Sequence, residues 1–81
     1  MNEALLKKSI KEKVTELIRR HGSASFALTD FQAALERTRP ASMDPGSIAF
    51  TEQELKKMAE GDFDALTPFA LHQIDKALDA C

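Results

Sequence analysis

The sequence predicts an all-α fold: one domain, residues 1–81, of four helices at about 3–21, 30–38, 52–60 and 68–80, with a long loop between the second and third. Three observations predict it. Apolar residues near the start recur at helical spacing. Three segments open on the same signature, an apolar residue and then a threonine: Ala27-Leu28-Thr29, Ala49-Phe50-Thr51 and Ala65-Leu66-Thr67. The three glycines and three prolines fall at the ends of the periodic segments, never inside them. A threonine in this position accepts a hydrogen bond from an unpaired backbone N–H of the first turn, and the apolar residue before it packs back onto the helix.

In the first helix Leu6, Ile10, Val14 and Leu17 recur at steps of four, four and three, which is one face of a helix. Leu5 and Ile18 fall on opposite shoulders of that stripe, so the apolar face is broad and suits a helix with more than one neighbour. Gly22 ends it, with Arg19, Arg20 and His21 placed well for the helix dipole. The second helix is expected to start at Thr29, because Thr29 and Gln32 have the spacing of a capping box and Leu28 can staple onto Ala33. Pro40 ends it by disfavouring helical geometry in the residue before it.

From Pro40 to Phe50 runs a loop with Asp44-Pro45-Gly46-Ser47 at its centre, a β-turn signal, flanked by Met43 and Ile48 as anchors. Its length implies either a packed surface loop or a mobile functional one. The third helix has a full capping box in Thr51 and Glu54, with a staple from Phe50 to Leu55. At about ten residues it must be packed to persist. The fourth opens on Thr67 with Pro68 at its first position, where a missing N–H does no harm. Ala70, Leu71, Ile74, Ala77, Leu78 and Cys81 share its apolar face, opposite His72, Lys76 and Asp79.

A chain of this size has a small core, so support from a partner, as in a homodimer through the first or fourth helix, is expected. The net charge of −2 argues against a general nucleic-acid binder. Charge is nonetheless segregated. Residues 1–21 carry six basic side chains against three carboxylates, a balance of +3, and residues 51–81 carry three lysines against seven carboxylates, a balance of −4. The single cysteine, Cys81, excludes an internal disulfide and suits a reducing compartment. No apolar run approaches membrane-spanning length and the start lacks a signal-peptide core. A cytoplasmic protein without a membrane role is expected.

Candidate chemistry is thin. Glu60, Asp62 and Asp64 around Gly61 suggest a calcium loop, but in either register the required glycine and final glutamate are missing. His21, His72 and Cys81 are not at zinc-ligand spacing. Nothing activates Cys81 as a nucleophile, and no glycine-rich phosphate loop exists. No catalytic residue, metal or cofactor is expected, and the protein is read as a non-enzyme.

A helix-turn-helix built from the third and fourth helices would present only His72, Gln73 and Lys76 to DNA, behind Asp62 and Asp64 of the wrong sign. The remaining feature is the basic first helix, where Lys7, Lys8 and Lys11 spread along one shoulder of the stripe. They are the candidate partner-binding residues. The expected function is that of a small regulator, adaptor or accessory factor acting through macromolecular interaction, with a protein of acidic surface as partner. The alternative is nucleic-acid binding through the same helix. A third use of the polarity is internal, with the first helix lying across the acidic Glu60–Asp64 linker.

Overall fold

Leu6, Ile10, Val14 and Leu17 are all buried, on one side of helix α1, Glu3–His21. The structure, a computed structural model, describes residues 3–44, 46–63 and 66–81. Three more helices follow: α2, Ala24–Arg37, α3, Glu52–Ala59, and α4, Pro68–Asp79. Among the described residues the fold is all-helical, as expected. Pro45 of the predicted turn, Asp64 of the acidic linker and Ala65 of the third threonine signature lie outside the described residues.

The start of the second helix is the main correction. α2 opens at Ala24, six residues before the expected 30, and its cap is Ser23, whose side chain accepts from the Phe26 N–H at 3.2 Å. Gly22, at φ +80°, is the only residue between the end of α1 and that cap. Its left-handed backbone turns the chain within one residue, a conformation that L side chains resist. Once the chain has turned there, Ala24 and Ala27 join Phe31, Ala34 and Leu35 on a single buried face, and the apolar period extends back past Thr29. Thr29 is therefore mid-helical and exposed, bonding back to the Ser25 carbonyl at 3.3 Å. Gln32, its expected capping partner, accepts from the Phe50 N–H at 3.0 Å.

The other two threonine signatures perform as predicted. The Thr51 hydroxyl accepts from the Glu54 N–H at 3.1 Å while the Glu54 carboxylate accepts from the Thr51 N–H at 2.8 Å, a complete capping box. Phe50 is packed against the core, and Leu55 is fully buried within it. Thr67 accepts from Ala70 N–H at 3.1 Å ahead of Pro68.

All four helices share one core with Phe31, the largest fully buried side chain, in it, and Phe63 enters from the segment after α3. α1 and α2 each pack on the three other helices, whereas α3 and α4 do not pack on one another. The broad face of α1 is used as its width predicts, except that Leu5 on one shoulder is 64% exposed. The loop is packed. Arg39 pairs with Glu36 and donates to the Met43 carbonyl, the Gly46 N–H donates to Glu36 at 2.8 Å, and Ile48 packs on the core. The Ser47 N–H donates to the Asp44 carbonyl at 3.2 Å, closing the expected turn.

Cap substitutions test this account of the helix starts. Thr51→Ala and Ser23→Ala should each lower stability by about 1 kcal/mol, read as a fall of roughly 4–8 °C in circular-dichroism melts. Thr29→Ala should change it by less than about 0.5 kcal/mol. A loss at Thr29 as large as that at Ser23 would restore Thr29 as a cap.

Candidate interaction surface

At about 100° per residue, Lys7, Lys11 and Lys8 span an arc of about 100° on α1, beginning beside its buried stripe. Lys7 is half-buried and pairs with Glu3 at 3.4 Å, an i to i+4 contact within α1. Lys11 is exposed, and its aliphatic stem lies over Gly61, where an added Cβ would stand 3.6 Å from Lys11 Cδ. Lys8 is exposed on the outward side. Neither Lys8 nor Lys11 makes an ion pair among the described residues. The three lysines thus share the first half of one helix while one of them, Lys11, crosses the linker after α3. Thr15, one turn on, approaches the Ala59 carbonyl at 3.5 Å.

Lys13 is the basic residue that sequence reasoning passed over. Its ammonium lies 2.7 Å from Asp75 and 2.7 Å from Asp79, so it bridges two carboxylates one turn apart on α4. Ser9 donates to the same Asp75 at 3.4 Å. These contacts set α1 and α4 parallel. Asp79, exposed on the face of α4 opposite the apolar one, is thus also paired, and Asp75 is engaged by α1. An i to i+4 pair of aspartates opposite one lysine was present as a signal, but it requires knowing that α4 lies beside α1.

Hydrogen bonds to Asp75 and then Asp79 hold the Lys13 ammonium above the ordinary lysine value. Burial pushes the Cys81 thiol up, and its sulfur donates to the Ala77 carbonyl at 3.3 Å. A raised thiol pKa lowers its thiolate fraction and so its nucleophilicity. His21 reaches Asp30 at 3.0 Å and ties the end of α1 to α2. Glu16 pairs with Arg19 three residues on. Among the described residues no group of histidine, cysteine or carboxylate side chains is arranged to hold a metal, and no helix is long and apolar enough to cross a membrane.

The helix-turn-helix arrangement is absent from α3 and α4, since the two helices of that motif pack on one another and these do not. An open groove between α1 and α4 is lined by Glu12, Lys13, Glu16, Arg20, Leu78 and Cys81, and both signs of charge line it. Comparison with protein-family models, curated proteins and solved structures gives no match.

The Lys13 bridge yields a prediction with a definite sign. A folded pKa raised above the unfolded value of 10.5 contributes stability below that value, lost as pH rises through the folded pKa. Lys13→Gln should therefore destabilise at neutral pH by about 1 kcal/mol, because the pair is partly exposed. In urea unfolding the difference from the parent chain should shrink at about 1 M salt and again above pH 10.5. A difference indifferent to both would assign the loss to packing.

Proposed function

We propose that the protein acts without catalysis, as a regulator, adaptor or accessory factor that binds another protein through the first half of α1. Lys7, Lys8 and Lys11 supply the positive field for an acidic partner surface. The observation that carries the reading is Leu5. It is 64% exposed one turn before Lys8, which has no ion pair among the described residues. Leu5 and Lys8 together offer apolar area for affinity and uncompensated charge for steering, the combination an encounter surface uses. A cytoplasmic setting suits the single cysteine.

Nucleic-acid binding through α1 is less well supported, because Glu12 and Glu16 interrupt the outward face that carries Lys8 and Arg19. Self-association of the folded chain through α1 or α4 would have to use Leu5 or Phe69, the large apolar side chains that those two helices leave exposed among the described residues. Leu6, Ile10, Val14 and Leu17 on one, and Leu71, Ile74, Ala77 and Leu78 on the other, are already buried in the chain's own core.

Reversing Lys7, Lys8 and Lys11 to glutamate tests the proposal. The Lys7–Glu3 pair is partly exposed, so the triple variant should lose no more than about 1 kcal/mol. Binding to the partner captured from source cells should weaken, mainly by slower association at low salt. A variant that melts several degrees lower yet binds its partner normally would show that the basic face serves the fold alone.

A further inference from the structure

Gly22 and Ser23 alone separate α1 from α2, and each stops the helix in its own way. Gly22 stands at φ +80°, with nothing within 4 Å of where a Cβ would be, and Ser23 is extended at φ −158° and ψ 156°. The Gly22 N–H still bonds as in a helix, to the Ile18 carbonyl at 2.9 Å. The N–H groups of Ser23, Ala24 and Ser25 make no hydrogen bond among the described residues. No other glycine and no proline stands between Glu3 and Arg37.

The apolar residues of the two helices are in phase across this connection. Val14, Leu17, His21, Ala24, Leu28, Phe31 and Leu35 follow one another at steps of three, four, three, four, three and four, the period of one helix with a single apolar seam. Apart from His21, which is half-buried, each is buried or packed on the core. At about 100° per residue the buried stripes of α1 and α2 fall within roughly 30° of one another. A helix continued through Gly22 and Ser23 therefore carries one apolar face from α1 into α2.

In that straight form α1 leaves the seat it has on α2, α3 and α4. The surface that fits the released α1 contact for contact is the same seat on a second copy of the chain. Lys13 then meets Asp75 and Asp79 of the other copy, and His21 its Asp30, in the pairs already seen within one chain. Closed and exchanged forms thus differ at the hinge and in the number of chains, which is why exchange of an identical element is a low-cost route to a dimer.

We propose that the chain has a second folded state, a dimer that exchanges α1 through a continuous helix from Glu3 to Arg37, and that the left-handed backbone of Gly22 holds it in the closed single-chain form. Straightening gives the three idle N–H groups the Arg19, Arg20 and His21 carbonyls as partners. Against this stand the poor helix propensity of glycine and the loss of the Ser23 cap. Gly22→Ala disfavours the left-handed turn and favours the helix, so both of its effects push toward exchange.

Light scattering coupled to gel filtration, on the native chain and on Gly22→Ala, tests the proposal. The variant should be a folded dimer with a dissociation constant at least about a hundredfold below that of the native chain, each of the two hinges contributing about tenfold. Hydrogen exchange read by NMR should find the Ser23, Ala24 and Ser25 amides protected in the dimer and unprotected in the single chain. Gly22→Asn, whose side chain tolerates the left-handed region, should stay monomeric. So should Gly22→Ala with Gly-Gly-Ser inserted after position 22, because a flexible linker breaks the helix and lets the chain close.

A folded Gly22→Ala chain that is monomeric at about 1 mM overturns the proposal. A dimer whose amides at 23–25 stay unprotected, or one that survives the insertion, overturns it as well and assigns association to an outer surface such as Leu5 or Phe69. If Gly22→Ala does not fold, the native chain decides: refolded at about 1 mM, it should trap a dimer with protected amides at 23–25, and monomer alone overturns the proposal.

Discussion

One apolar stripe on α1 has to serve three neighbours. Leu6, Ile10, Val14 and Leu17 form part of a core to which α2, α3 and α4 all contribute, and α1 packs against each of these helices. The constraint is severe because the others are short. α3 has 8 residues and α4 has 12, lengths at which a helix in water is marginal without tertiary packing. Their caps lower the cost of starting each helix, and burial of Leu55, Met58, Leu71 and Ile74 against the shared core supplies what the caps cannot. Since α3 and α4 do not pack on one another, each depends on α1 and α2.

That dependence explains what was legible. Periodicity on α1 and the local chemistry of Thr51-Glu54 and Thr67-Pro68 are properties of a few adjacent residues, and they read correctly because no distant contact competes with them. Thr29 misled for the same reason in reverse. Its spacing to Gln32 is a valid cap pattern, but Ser23 after Gly22 offers an earlier one, and burial of Ala24 and Ala27 decides between them. Alanines give a weak apolar signal in sequence. Their burial depends on where the neighbouring helices run, a tertiary property.

The charge pattern had the same split. A balance of +3 at one end and −4 at the other is visible in the sequence, yet it does not say which charges meet. Topology does. Parallel packing of α1 on α4 hands Lys13 two aspartates, and α3 against α1 sets the Lys11 stem over Gly61. The polarity is therefore partly internal, though its ion pairs run from Lys13 to α4 and not to the acidic linker, and the lysines named for docking divide: Lys7 is paired within its own helix, the Lys11 stem lies over Gly61, and Lys8 has neither engagement among the described residues.

Folding thus accounts for many of the polar groups at helix ends, in the loop and between helices. Gly22, Ser23, Gln32, Glu36, Arg39, Lys13 and the two aspartates all have structural work, because each satisfies a backbone group, a turn or a charge. Leu5, Phe69, Lys8 and Lys76 have none of that kind among the described residues. Exposing a leucine and a phenylalanine forgoes roughly 1.5–3 kcal/mol of burial at each, a sizeable sum against a typical domain stability of about 5–15 kcal/mol. Polar residues at both positions would leave the core unchanged, since neither side chain belongs to it.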